Sequence, residues 1–181
     1  MYKRQELEEL IKKQCLFCQI VEKKVETIKI YEDPHVLVLL DLYPASLGHI
    51  LIIPREHFQF LTEIPDILVT KLFLVLKEVQ KGLEEFGFEN FNVYIAEGEL
   101  AGQRVPHFCI NLIPRKGKEK VVFEWEKQQI SKEKLEEFAS KLKEKLRSKA
   151  EQLKEKEKEG KKKSEQEEIE KILEHTKERI P

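Results

Sequence analysis

The sequence of 181 residues predicts an α+β domain, with a mostly antiparallel sheet of about five strands and one long helix, followed by a charged helical extension. Two observations support this. Three β-rich runs, one long helical stretch and further β-rich runs follow one another in the first part of the chain. Charge is also uneven, since 35 of the first 125 residues are charged against 32 of the last 56. Because so charged a segment cannot bury a core alone, we predict a domain over residues 1–125 and an extension over residues 126–181.

The first elements are a helix and three strands. Glu6–Lys13 predicts a short helix that leads into a Cys-Leu-Phe-Cys segment. Thr27–Glu32 and His35–Leu40 are β-rich runs separated by the turn pair Asp33-Pro34, so they predict a hairpin. His49–Ile53 predicts a third strand.

One helical face follows, and then more strands. Pro65 suits the start of this helix and Gly87 its end. Its apolar positions follow helical spacing and are Leu68, Leu72, Val75, Leu76, Val79, Leu83 and Phe86. The later predicted strands are Phe91–Ala96, His107–Ile113 and Lys120–Trp125.

The extension predicts two amphipathic helices. Ser131 is a suitable N-cap for the first, and Ser164 with Glu167 forms a capping-box pattern for the second. The first apolar stripe consists of Leu135, Phe138, Ala139, Leu142, Leu146, Ala150 and Leu153. Two interpretations stay open: a solvated extension that lies on the domain, and an arm that binds a protein partner.

Composition gives no signal for a nucleic-acid or membrane partner and leaves the role of the cysteines open. The net charge is −1, which gives no electrostatic signal for nucleic acid. The longest apolar run, Val36–Leu40, is far too short to cross a membrane, and the charged N-terminus does not resemble a signal peptide. We therefore expect a soluble cytoplasmic protein. The Cys15–Cys18 pair could be a metal knuckle, a redox dithiol or chance, and buried small hydrophobes are a further possibility.

The segment from Ala101 to Arg115, AGQRVPHFCINLIPR, is the most informative one. If it is a strand, His107, Cys109 and Asn111 share one face, because side chains alternate along a strand. Three polar side chains on one face of a strand indicate either a functional site or a solvated outer face.

This segment resembles the signature of the histidine triad (HIT) superfamily, which reads roughly AGQ-x-V-x-H-φ-H-φ-H-φ-φ-PR, where φ is apolar. The resemblance extends upstream through CLFC and YEDPHVLVLLDLYPASLGHILIIPREH and covers about Cys15 to Arg115. It implies a HIT-like fold, a homodimer that pairs through the long helix and a neighbouring strand, and nucleotide chemistry. In that family the middle His attacks the α-phosphorus of a nucleotide derivative, giving a nucleotidyl-His intermediate.

This chain departs from the pattern where the reaction takes place. Cys109 stands at the position of the attacking His, Asn111 at the third His, Ala96 at a usual Asn, and Arg104 at a usual Ser or Thr. A thiol needs a neighbouring cation or base to attack phosphorus. We therefore expect a lost or much reduced hydrolase or transferase activity. The alternatives are an active enzyme that uses Cys109, and an interaction module that acts through the tail.

The positions that bind the base and ribose in the family match this sequence better than the catalytic positions do. The resemblance implies a purine nucleotide, with Asp41 accepting from the ribose hydroxyls, followed by Leu42. The other implied nucleotide-binding residues are Leu16, Phe17, Ile20, Leu39, Gln103, Arg104 and Asn111.

The resemblance also implies a structural zinc ion. Some members hold it with four ligands, whose positions here are Cys15, Cys18, His49 and His107. We expect His57 to be a structural or capping residue, and His35 and His175 to face solvent.

Overall fold

A five-stranded antiparallel sheet forms the centre of the first unit of the chain. The computed structural model describes residues 4–117 and 119–147, and the chain divides between Phe123 and Glu124. The strands are β1 (Lys29–Glu32), β2 (Val36–Leu40), β3 (Ile50–Pro54), β4 (Asn90–Tyr94) and β5 (Ile110–Arg115), in the order β1-β2-β3-β5-β4. The helices are α1 (Arg4–Gln14), α2 (Leu16–Val21) and α3 (Asp66–Glu85).

Strand alternation divides the apolar side chains between two layers. On one face, Val38, Ile52 and Leu112 form a core with Leu72 and other residues of α3. On the other face, the alternate residues of β2 and β3 pack against the α2 segment. The second layer contains Cys15, Phe17, Cys18, Ile20, Leu37, Leu39, Leu51 and Ile53. Because both faces are covered, these strands consist of nearly continuous apolar runs.

The predicted ends of α3 match its geometry. Pro65 is its N-cap, and Gly87 follows its C-terminus with a φ of +79°. The N–H of Gly87 donates to Glu84 and that of Phe88 to Leu83, which is a Schellman motif.

Two predicted strands differ from the structure. The strand expected from His107 begins at Ile110, because the His107 N–H donates to Val105 and the Phe108 N–H donates to Phe58 instead of to the sheet. No strand forms over residues 120–125, although the segment is apolar and β-branched. Val122 and Trp125 are exposed there, so this apolar segment adds little to either core layer.

The second unit is helical over residues 132–147 as far as the structure describes it. The Ser131 hydroxyl accepts from the Lys134 N–H at 3.4 Å, as an N-cap does. Leu135, Phe138, Leu142 and Leu146 are exposed along it. The second predicted tail helix, and positions Ala150, Leu153 and His175, lie outside the described residues.

Asp33 joins the β1–β2 hairpin to α3. Its Oδ1 accepts from the N–H groups of His35 and Val36, and its Oδ2 pairs with Lys71 at 2.8 Å and accepts from the Tyr31 hydroxyl. Burial alone would raise the pKa of Asp33, but the hydrogen bonds from Lys71 and from the two backbone groups outweigh it and hold the pKa well below its usual range.

We predict that Asp33→Ala lowers the free energy of unfolding by roughly 1–2 kcal/mol at pH 7, after allowance for partial solvent screening. Because the pKa is depressed in the folded state, this contribution is complete above the unfolded pKa of about 3.9 and declines as the pH falls below it. Urea unfolding followed by circular dichroism at pH 7 and pH 3 tests both points. Glu89→Ala, which removes an exposed carboxylate, is the control; an equal loss in both variants contradicts the assignment.

Candidate functional site

Two cysteines at the junction of α1 and α2 form one half of a side-chain cluster. Cys15 is the N-cap of α2 and Cys18 lies in its first turn, and both are buried. Residues three apart lie on the same side of a helix, so the short helix directs both thiols toward the sheet. Leu16 and Phe17 lie between the two cysteines, in the first turn of α2.

Two histidines complete this cluster, one from the loop after β3 and one from the segment just before β5. His107, just before β5, places Nδ1 3.4 Å from the Cys15 Sγ and 3.7 Å from the Cys18 Sγ. His57, in the loop after β3, places Nδ1 3.2 Å from the Cys18 Sγ. The four ligand atoms lie within 4.8 Å of one another. Two sulfurs and two imidazole nitrogens are a donor set typical of tetrahedral zinc.

A backbone carbonyl and two neighbouring rings hold the His107 imidazole in place. Its Nε2–H donates to the Pro54 carbonyl at 2.9 Å, which leaves the Nδ1 lone pair facing the thiols. The rings of Phe17 and His57 both contact it edge-on, at centroid distances of 5.7 and 5.2 Å. His107 is only 1% exposed.

Burial sets the protonation of the cluster. It lowers the pKa of His107 to about 4, and it lowers that of His57 with a further contribution from the Lys12 charge. Burial, together with the neighbouring Cys15, raises the pKa of Cys18 to about 12. Neutral imidazoles are ready to coordinate, whereas the buried Cys18 thiol needs a cation to ionise at neutral pH. The residues present therefore fit a zinc ion.

The structure corrects one expected ligand. His49 does not join the cluster, and His57, expected to be structural or capping, takes the fourth position. The reason is strand register: Ile50 pairs with Leu112 and Ile52 with Ile110, so the chain that leaves β3 toward His57 runs along the entry to β5, where His107 lies. His49, at the other end of β3, is bonded to Asn111 instead.

A cavity of about 370 Å³ lies on the same face of the sheet, opposite α3, beside the cluster. Several residues predicted from the sequence line it, namely Leu16, Phe17, Asp41, Gln103, Arg104, Cys109 and Asn111. His49 and His107 also line it. The cluster of two cysteines and two histidines and the cavity therefore share His107 and the segment between the two cysteines.

Three predicted nucleotide-binding residues are not part of the cavity wall. Ile20 and Leu39 belong to the core layer beneath it, and Leu42 is exposed to solvent. Tyr94 and Val105 also line the cavity, although no pattern in the sequence indicated them. Tyr94 ends β4 opposite Asn111, a pairing that only the sheet register reveals.

Two polar residues of the wall are held by backbone groups. Gln103 accepts from the Gly98 N–H and donates to the Gln59 carbonyl, so both ends of its amide hold loops together. Asp41 accepts from the Tyr43 N–H at 2.9 Å, and its other oxygen lies 3.4 Å from the His49 Nδ1.

Cys109 occupies the wall as a protonated thiol. Burial raises its pKa well above the ordinary value, and the nearby Asp41 carboxylate raises it further. The thiolate is the nucleophilic form of cysteine, so this thiol is poorly suited to attack phosphorus at neutral pH.

Of the helices in the described part of the chain, none has the length and apolar character to cross a membrane.

His35, expected to face solvent, is exposed in the hairpin turn.

Comparison with known proteins identifies the family. An adenosine 5'-monophosphoramidase of Schizosaccharomyces pombe is 34% identical over 134 residues, which cover 71% of this chain and 98% of that protein. A crystal structure of a HIT family member from Bacillus subtilis is similar at a TM-score of 0.68, with 31% identity, and covers 74% of this chain and 97% of that one. A zinc-bound histidine triad family protein from Mycobacterium smegmatis is similar at a TM-score of 0.57, with 31% identity, and covers 65% of this chain and 86% of that one.

These similarities agree with the antiparallel sheet and confirm the predicted α+β fold. The model of the HIT domain matches residues 22–118, more than half of the chain. The resemblance seen in the sequence is thereby confirmed, and the chain belongs to the HIT domain family.

Proposed function

We propose that this chain is a zinc-containing HIT protein that binds a purine nucleotide in the cavity and has lost most or all of the hydrolase or transferase activity. The observation that supports this best is the combination of a formed cavity with a protonated thiol, Cys109, on the wall from which the family nucleophile acts. Binding groups and an attacking group are separate requirements, and only the first is met here.

The cavity has a suitable group for each part of a nucleotide. Leu16 and Phe17 offer apolar surface to a base, and Asp41 is a carboxylate acceptor for ribose hydroxyls. Arg104 and Asn111 offer donors to phosphate oxygens. A relative named as an adenosine 5'-monophosphoramidase supports an adenine nucleotide as the first ligand to test.

Zinc in the cluster would be structural. Two thiols and two imidazoles fill a tetrahedral shell, so no position remains for a reacting water. Ligands from the N-terminal segment, from the loop after β3 and from the entry to β5 would be tied together, and metal affinity would add to folding stability.

We predict that the purified protein binds AMP saturably by calorimetry and does not measurably hydrolyse adenosine 5'-monophosphoramidate. Replacing the missing imidazoles in a Cys109→His/Asn111→His variant should raise turnover by at least about tenfold, because an imidazole nucleophile acts in its neutral form at pH 7. Cys109→Ala is the matched control. Substantial wild-type turnover that Cys109→Ala abolishes would instead establish the alternative, an active enzyme that uses the thiol.

We predict that His57→Asn weakens zinc binding by more than the roughly 10–100-fold that loss of an outer-shell partner costs, because a direct ligand is removed. His49→Asn, the matched control on the other side of the cavity, should keep one zinc per chain. Metal content by mass spectrometry and competition with a chromogenic chelator measure both. Retention of zinc by His57→Asn with loss in His49→Asn would contradict the ligand set.

A second role for the tail is favoured by one observation. The helix over residues 132–147 exposes Leu135, Phe138, Leu142 and Leu146 at helical spacing, a stripe suited to a helical protein partner. We propose this as an addition to nucleotide binding. A chain that ends at Ile130 should keep AMP affinity and lose the protein partners that co-purify with the full chain.

We further propose a homodimer through α3. This helix exposes Phe73 and Leu74, Phe86 is exposed directly after it, and an apolar groove of about 700 Å³ runs between α3 and β1. Burial of these side chains against a second copy would remove them from water. Sedimentation should give a dimer for the full chain and a monomer for Leu74→Asp; a monomeric wild-type chain would exclude it.

A further inference from the structure

A chain of hydrogen bonds connects the backbone to Asn111 through His49. The Ala45 N–H points at the His49 Nδ1 at 3.2 Å, and the His49 Nε2 lies 3.2 Å from the Asn111 Oδ1. A backbone N–H can only donate, so Nδ1 accepts in this contact, which is shorter than the 3.4 Å that separate Nδ1 from the Asp41 Oδ2. His49 is 4% exposed, and burial lowers its pKa, so the imidazole is neutral at neutral pH.

The position of the imidazole proton then follows. A neutral imidazole whose Nδ1 accepts carries its hydrogen on Nε2. That hydrogen is donated to the side-chain oxygen of Asn111, which therefore has to face His49. The amide nitrogen of Asn111, with its two donors, is turned away from His49, and both residues line the cavity.

We propose that His49 is a positioning residue that holds the Asn111 carboxamide with its NH₂ group toward the cavity, where it donates to a phosphate oxygen of the bound nucleotide. This rests on the proposed nucleotide binding and specifies how the anionic end is recognised. A freely rotating carboxamide could present its oxygen instead, and two facing acceptors repel. The role differs from metal binding, which the sequence had suggested for His49.

The surroundings of the pair support a site for an anion. Arg104 lines the same cavity, and its positive charge acts on His49. The Asp41 Oδ2 also faces the His49 Nδ1, but at 3.4 Å it lies farther from that atom than the Ala45 nitrogen does, and the Asp41 Oδ1 accepts from the Tyr43 N–H. A guanidinium and an oriented amide donor together select a phosphate over an uncharged group.

Calorimetry with AMP and adenosine separates positioning from mere packing. His49→Leu, which removes the donor, should weaken AMP binding about tenfold or more and adenosine binding less than about twofold, since a hydrogen bond to a charged group is lost only with AMP. His49→Gln, whose amide can still donate, should restore most of the AMP affinity. Asn111→Leu should lose as much AMP affinity as His49→Leu does. The double variant should lose no more AMP affinity than Asn111→Leu alone.

Other outcomes would overturn the proposal. Equal losses for AMP and adenosine in His49→Leu would assign His49 a packing role, and additive losses in the double variant would show that the two residues act independently. Nitrogen chemical shifts of the unliganded protein give a test that needs no nucleotide: a proton on the His49 Nδ1 would overturn the proposed orientation. If the wild-type chain binds neither AMP nor adenosine, the proposed function fails. The donor role is then overturned as well if inorganic pyrophosphate leaves the Asn111 amide signals unmoved, and it is supported if those signals shift.

Discussion

The buried imidazole of His107 is the constraint on which both halves of the site depend. Its Nε2–H is bound to the Pro54 carbonyl, and its Nδ1 faces the thiols of Cys15 and Cys18. The same ring contacts Phe17, which lines the cavity. A metal ion in the cluster and a ligand in the cavity would therefore favour the same placement of the N-terminal segment, and two equilibria that order one segment would be coupled.

Local signals in the sequence predicted most of the fold. The hairpin around Asp33, the ends of α3 at Pro65 and Gly87, and the alternation within β2 and β3 all depend on neighbours in the chain. The strand expected over residues 120–125 was wrong because an apolar, β-branched composition favours an extended conformation but does not fix a pairing partner in the sheet. A similar limit applied at β5. The N–H groups of residues 107 and 108 donate hydrogen bonds to Val105 and Phe58, so the strand begins only at Ile110.

The site required the register between strands, which no single run of residues contains. Two histidines flank β3, and alternation alone cannot decide which of them comes near His107. The pairing of Ile52 with Ile110 places His57, and not His49, near His107. His49 lies beside Asn111 instead. The same reasoning explains Tyr94, which the sequence analysis missed and which β4–β5 pairing brings opposite Asn111. Ile20 and Leu39 illustrate the converse, since apolar residues near a site are often the core that supports it.

The donors of this cavity and its thiol differ in their exposure to water. Arg104 is exposed and Asn111 is half-buried, so a bound phosphate would meet both at the open side of the wall. Burial, with the Asp41 carboxylate nearby, keeps the Cys109 thiol protonated. An imidazole at that position needs no ionisation to act as a nucleophile, whereas a thiol does. A cysteine at that position would therefore lack the attacking group, while Arg104 and Asn111 would still offer donors to a bound anion.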